Sequence, residues 1–145
     1  MSQSLSKKRL HFEAKRCIGC RLCEQWCSFS HFRVTNPGKA RIRITRSMES
    51  QEESAEYCHQ CPDAPCIAAC NFDALARDEL TGAIRVDREK CTGCRLCLIK
   101  CPYHAPILEP GTKKILICDL CGGEPVCAAH CPENAIMYSE GEGPK

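Results

Sequence analysis

The alternation of apolar and polar residues along this chain is short-ranged. From Ala40 to Thr45 the apolar positions Ala40, Ile42 and Ile44 alternate with Arg41 and Arg43, the period-2 pattern of a half-buried strand. Ala83 to Val86, after the Thr81-Gly82 turn, reads as one arm of a hairpin, and Ile115 to Ile117 and Ala135 to Tyr138 as further strands. No long amphipathic helix is visible, and three-residue gaps such as Leu98-Ile99-Lys100 suit single helical turns. The longest connections, Ser28 to Tyr57 and Asn71 to Lys90, leave room for hairpins or partner contacts, and the tail from Ser139 to Lys145 is expected to be mobile. These elements predict a small α+β fold.

No stretch approaches the ~20 apolar residues of a membrane span. Met1 to Arg16, MSQSLSKKRLHFEAKR, is too polar for a secretory signal, so a soluble, cytoplasmic protein with reduced thiols is expected. The hydrophobic fraction of 43% includes 16 cysteines among 145 residues, which leaves a thin aliphatic core. Such a chain needs staples, disulfides or metals, because core burial alone barely offsets chain entropy. A reducing compartment favours metal.

The cysteines repeat. Cys17-Ile-Gly-Cys20-Arg-Leu-Cys23-x3-Cys27 recurs as Cys91-Thr-Gly-Cys94-Arg-Leu-Cys97-x3-Cys101, and Cys58-x2-Cys61-x4-Cys66-x3-Cys70 as Cys118-x2-Cys121-x5-Cys127-x3-Cys131. The order A, B, A, B suggests a two-motif unit used twice. A cubane [4Fe-4S] cluster needs four thiolates at tetrahedral corners. A closely spaced triplet can reach three irons from one loop, and in two-cluster ferredoxins the fourth cysteine, often followed by Pro, ligates the other cluster. Pro102 and Pro132 fit that pattern, whereas Ser28 and Asn71 depart from it. Zinc would explain cysteine pairs, but not a third and fourth cysteine recurring four times with none spare. The spacing therefore predicts four [4Fe-4S] clusters.

With the formal charge of +2, four oxidised cubanes and their thiolates would shift the holo-protein to about −6. Lys7, Lys8, Arg9, Arg41, Arg43, Arg46, Lys113 and Lys114 are then better read as offsetting cluster charge or facing an acidic partner than as a nucleic-acid patch. With every iron supplied, His59 and His130 read as outer hydrogen-bonding or surface groups. Trp26 reads as a cluster cover or a core aromatic, and Arg21 and Arg95 as cations beside a cluster or solvated surface groups.

Two triplet motifs alternating with two wider ones from Cys17 to Cys131 resemble the four-cluster electron-transfer subunits of molybdenum and tungsten oxidoreductases, a family that also serves hydrogenases, formate dehydrogenases and carbon monoxide dehydrogenases. The resemblance implies two interlocked ferredoxin-like modules in a single domain over residues 1–145, one from motifs 17–27 and 118–131, the other from 58–70 and 91–101. It implies ligand sets of Cys17, Cys20, Cys23 and Cys131; Cys118, Cys121, Cys127 and Cys27; Cys58, Cys61, Cys66 and Cys101; and Cys91, Cys94, Cys97 and Cys70. Cys27-Ser-Phe-Ser-His-Phe and Asn36-Pro-Gly-Lys-Ala-Arg-Ile-Arg-Ile look most like the small subunits of tungsten aldehyde oxidoreductases. The implied role is non-catalytic. Electrons would pass between a large tungsten- or molybdenum-pterin subunit and a flavin subunit or ferredoxin, with no nucleic acid and no membrane span involved; the alternatives are the other complexes named or a free polyferredoxin.

Overall fold

Short strands alternate with short helices in the computed structural model, which describes residues 8–140. The chain runs β1 (Lys8–Phe12), α1 (Leu22–Phe32), β2 (Arg43–Arg46), β3 (Glu53–Glu56), α2 (Pro65–Ala69), β4 (Leu75–Arg77), β5 (Ile84–Val86), α3 (Leu96–Lys100), β6 (Ile107–Leu108), β7 (Ile115–Leu116), α4 (Val126–His130) and β8 (Ile136–Glu140). The strands form four two-stranded antiparallel ribbons, β1 with β8, β2 with β3, β4 with β5 and β6 with β7. Two-stranded ribbons are marginal by themselves, so packing between them and the helices must hold them. α1 packs on α4 and α2 on α3, and the β1–β8 ribbon joins the two ends of the described chain.

The alternation from Ala40 is realised. Ala40, Ile42 and Ile44 are buried, although ladder pairing begins only at Arg43. They share a core with Leu10, Leu120 and Ile136, while Leu75, Ile84, Ile115 and Ile117 form a second core. Cysteines belong to both, Cys23, Cys27 and Cys127 to the first and Cys58 and Cys97 to the second. Both long connections contain hairpins, β2–β3 and β4–β5.

Two expectations need correction. α2, α3 and α4 are the short helical turns anticipated, but α1 has 11 residues and continues beyond Cys27 to Phe32. Ser28 in place of a proline keeps the backbone donor that helix continuation requires. The Ser28 hydroxyl donates to the Gln25 carbonyl (3.1 Å) and accepts from the Asn36 amide (3.0 Å), fastening the segment that follows the helix. The helix stops at Arg33, whose left-handed conformation (φ 61°) turns its N–H onto the Phe29 carbonyl. Of the tail expected to be mobile, Ser139 pairs with Arg9 and Glu140 with Lys8 in the β8 ladder, and residues 141–145 lie outside the described residues, as does Lys7. Among the described residues no helix is long and apolar enough to cross a membrane.

One buried carboxylate fixes α1 against β2. Glu24, 2% exposed, accepts the Ile44 amide at 2.6 Å and lies 3.4 Å from the Arg21 guanidinium. Glu24→Ala leaves the Ile44 N–H without a partner and is expected to lower stability by about 1–3 kcal/mol. Glu24→Gln, whose amide oxygen still accepts, should lose less. Denaturant unfolding of both variants under anaerobic conditions checks the difference.

Candidate metal centres

Each cysteine motif is a loop bent through left-handed backbone. In the triplet motifs these positions are Gly19 (φ 72°) and Arg21 (61°), repeated at Gly93 (78°) and Arg95 (73°). Gln60, Ala64, Leu120 and Cys121 play this part in the other two motifs. Such turns direct successive N–H groups inward and make concavities suited to anions, thiolate sulfur included. At Gly93 a side chain is also excluded by space, since a Cβ there would meet the Lys113 carbonyl oxygen at 2.2 Å.

The third cysteine of each motif, Cys23, Cys66, Cys97 or Cys127, opens a helix. Burial raises each of their pKa values, while the N–H of the following residue, Glu24, Ile67, Leu98 or Ala128, opposes that rise by hydrogen-bonding the sulfur. Cys70, Cys101 and Cys131 end α2, α3 and α4. After each comes a left-handed residue (Asp73, His104, Asn134) and then a buried alanine. The amides of these alanines, Ala74, Ala105 and Ala135, return to the cysteine sulfurs at 3.3, 3.5 and 3.2 Å. This Cys-x3-Ala signal is present in the sequence three times, and reading for ligands alone passes over it. Further N–H···S bonds come from Gln60 to Cys58 (3.3 Å), Leu120 to Cys118 (3.4 Å) and Ile115 to Cys91 (3.4 Å).

The motifs meet in a definite pattern. Cys17, Cys20, Cys23 and Cys131 line one hollow, Cys58, Cys61, Cys66 and Cys101 a second, and Cys70, Cys91, Cys94 and Cys97 a third. Cys27 faces Cys118, Cys121 and Cys127, near enough for its charge to oppose their ionisation. Arg21 lines the first hollow and Arg95 the third. Among the described cysteines only Cys20 and Cys94 are exposed.

Cys27 lies inside a continuing helix and has no Cys-x3-Ala turn. Its sulfur instead accepts the amide of Arg41 at 3.1 Å. Here α1 supplies His31, whose Nδ1 donates to the Cys27 carbonyl (2.8 Å) and whose Nε2 donates to Asp119 (3.1 Å). The hydrogen bond to Asp119 raises the His31 pKa to about 9. Burial works against the Asp119 carboxylate, but the His31 hydrogen bond and the Arg41 charge prevail and hold its pKa at about 2. Asp119 in turn accepts the Cys121 amide at 3.0 Å, so the network fastens α1 to the Cys118–Cys121 loop. Neither His31 nor Asp119 stands out in the sequence, being separated by 88 positions.

The aromatic residues are structural walls. Trp26 stacks on His130 at 3.8 Å, joining α1 to α4. His59 lies between Tyr57 and Tyr103 in a stack of rings and, with Tyr103, lines the hollow of Cys58. Four of the cations named from the sequence, Arg41, Arg43, Arg46 and Lys114, are engaged within the chain. Arg41 lies near Asp119, Arg43 near Glu56 and Arg46 near Glu53, and the Lys114 ammonium donates to the Arg88 and Cys91 carbonyls.

The thiols fit an iron-sulfur group. Burial pushes Cys23, Cys58 and Cys97 up to about 12, with neighbouring charges adding to the rise, and it pushes Cys118 and Cys127 up as well. Four crowded, desolvated thiols ionise together only when a cationic centre takes up their charge. Stripping the iron with a chelator is accordingly expected to collapse the fold, read as loss of far-ultraviolet circular dichroism and of visible absorbance together.

Comparison with known proteins agrees with this chemistry. The family model described as a 4Fe-4S dicluster domain matches residues 51–141. The polyferredoxin-like subunit of aliphatic sulfonate oxidoreductase from Pyrococcus furiosus is 43% identical over 118 residues, covering 81% of this chain and 68% of the relative. The thiosulfate reductase electron transfer subunit PhsB of Salmonella typhi is 30% identical over 142 residues, covering 89% and 73%. Among solved structures, the active-site complex BamBC of benzoyl coenzyme A reductase with benzoyl-CoA superposes with a TM-score of 0.55 at 25% identity, over 92% of this chain and 80% of the other. The 16 cysteines, set in four motifs, supply four [4Fe-4S] clusters, and the chain belongs to the 4Fe-4S dicluster domain family.

Proposed function

We propose that this chain is the electron-transfer subunit of an oxidoreductase complex, relaying electrons singly between a molybdenum- or tungsten-pterin catalytic subunit, of aldehyde oxidoreductase type, and a flavin subunit or ferredoxin. The observation that carries the proposal is the order in which the cysteine groups approach one another. Taking the groups as ligand sets, Cys23 of the first site (Cys17, Cys20, Cys23, Cys131) acts electrostatically on Cys127 of the second (Cys27, Cys118, Cys121, Cys127). Cys58 of the third (Cys58, Cys61, Cys66, Cys101) acts on Cys118 of the second, and Cys66 of the third on Cys97 of the fourth (Cys70, Cys91, Cys94, Cys97). These approaches support a line running first, second, third, fourth, in which the exposed Cys20 belongs to the first site and the exposed Cys94 to the fourth.

Each bound cluster supplies one-electron redox chemistry. The chain holds these groups at fixed spacing. It caps them with four thiolates apiece, leaving no open position for substrate. Buried walls and N–H···S bonds then limit water and steady the sulfur charge. The pairing of α1 with α4 and of α2 with α3 supports two interlocked ferredoxin-like modules in one domain, motifs 17–27 with 118–131 and 58–70 with 91–101. The relatives' names support an electron-transfer role with a range of catalytic partners; the tungsten assignment rests on the motif resemblance, and a cytoplasmic location on the reduced thiols it requires.

Purification of the native complex tests the proposal. A large subunit in stoichiometric amount, containing tungsten or molybdenum, is expected. Nickel in its place would redirect the assignment to a hydrogenase or carbon monoxide dehydrogenase, and a monomer without a partner would make the chain a free polyferredoxin.

A further inference from the structure

The four sites differ in the charges set against them. Beside the first and fourth sites lie Arg21 and Arg95, both exposed, where water and salt screen them, and at the fourth the half-buried Lys114 ammonium also donates to the Cys91 carbonyl. Beside the second site, with the Asp119 carboxylate between them, the cations are His31 and Arg41, the latter's side chain only 14% exposed. Its position is fixed from several directions. The Arg41 backbone N–H donates to the Cys27 sulfur (3.1 Å), and Nη1 donates to the Ile117 carbonyl (3.1 Å) and lies 3.5 Å from the Asp119 carboxylate. Ile117 and Asp119 flank Cys118, so this one residue spans the two chain segments that make up the site. Its Nε is buried with no hydrogen-bond partner, and Asp119 is shared with His31. A guanidinium held this way acts through a medium of lower effective dielectric than its exposed counterparts.

The first site has the opposite sign. Glu24, 2% exposed, adjoins Cys23 in α1, and the guanidinium 3.4 Å from it belongs to the exposed Arg21. The carboxylate of Glu53, itself buried, lies where a side chain on Gly19 would meet it, at 3.1 Å.

We propose that Arg41 is a positioning residue that makes the second site the resting place of the electron within the line, while Glu24 disfavours reduction of the first site. Reduction adds one negative charge. The Arg41 guanidinium stabilises that charge at the second site, and the Glu24 carboxylate opposes it at the first. The path is then stepped, with a basin one position in from the Cys20 end. The proposal rests on the ligand sets assigned above.

Potentiometric titration of the holo-protein, followed by electron paramagnetic resonance, tests it once iron and sulfide content confirm four clusters in each variant. Arg41→Gln should move one of the four potentials downward and leave the other three in place, and Arg41→Lys should restore most of the shift. Glu24→Gln, which keeps the Ile44 hydrogen bond, should move a different centre upward. Arg21→Gln and Arg95→Gln should produce smaller shifts that fade in high salt. An unchanged potential in Arg41→Gln, an equal fall in Arg41→Lys, or no rise in Glu24→Gln overturns the proposal. If Arg41→Gln fails to assemble its centre, the other two variants still decide. A Cys27→Ser variant identifies the centre: if the signal that moves in Arg41→Gln survives in Cys27→Ser, the ligand assignment is wrong while the effect of Arg41 stands.

Discussion

Cys131→Ser is expected to remove or convert the cluster of the first motif, more than a hundred positions upstream, and to spare the one held by Cys118, Cys121 and Cys127. Cys131 ends α4 and points its sulfur into the hollow of Cys17, Cys20 and Cys23, not toward its own motif. Its ionisation is coupled to theirs as well, since its charge raises the pKa values of both Cys17 and Cys23. A serine there can still accept the Ala135 amide, 3.2 Å from the sulfur, but its hard oxygen is a poor ligand to one iron. Paramagnetic resonance and iron counts on the purified variant read the result. Loss of the Cys118 centre with retention of the Cys17 centre would refute the assignment of ligands.

The second large effect is expected at Gly93. Its φ of 78° lies in the left-handed region, which costs an L-residue about 1–2 kcal/mol. A Cβ would also sit 2.2 Å from the Lys113 carbonyl oxygen. Backbone cannot swing aside as a side chain can, and relieving the overlap would displace the strand that follows, where the Ile115 amide bonds the Cys91 sulfur. Gly93→Ala should therefore cost about 3 kcal/mol or more and selectively weaken the cluster of Cys91, Cys94, Cys97 and Cys70. Gly19 occupies the same motif position, but a Cβ there would meet the end of the Glu53 side chain at 3.1 Å, so Gly19→Ala should be the milder change. Thermal loss of the visible absorbance in the two variants compares them directly; a Gly19→Ala protein as damaged as Gly93→Ala would contradict the reasoning.

The contrast between these repeated motifs also shows what could be read beforehand. Cysteine spacing signals its chemistry strongly because four thiolates per cubane leave little freedom. The strands around Ile44, Ile84, Ile115 and Ile136 were legible because each presents buried aliphatics next to turn residues. β1 was not. Lys8 and Arg9 precede Leu10 in it, and His11, opposite Met137, is buried beside Leu10, which spoils a clean alternation. α1 was hidden for a related reason. Its buried face includes Glu24 and Ser28, whose polar groups are satisfied by β2 and by the loop after the helix, and a periodicity count scores both as solvent-facing. The Arg41–Asp119–His31 network depends on segments far apart in sequence, so only tertiary structure brings it together.

The pairing of β1 with β8, and of α1 with α4 outside α2 and α3, has a consequence for biosynthesis. The connections are nested like parentheses. As the chain leaves the ribosome, the third and fourth of the proposed ligand sets are complete once Cys101 has emerged, whereas the first and second wait for Cys127 and Cys131. The inner pair can thus be loaded while translation continues, and the early motif of Cys17, Cys20 and Cys23 must remain reduced and unoccupied by stray metal until the last turn of the chain arrives. A newly made molecule would gain the Cys94 half of the line first, so a half-matured one would hold charge at its third and fourth sites with its Cys20 end still unfinished.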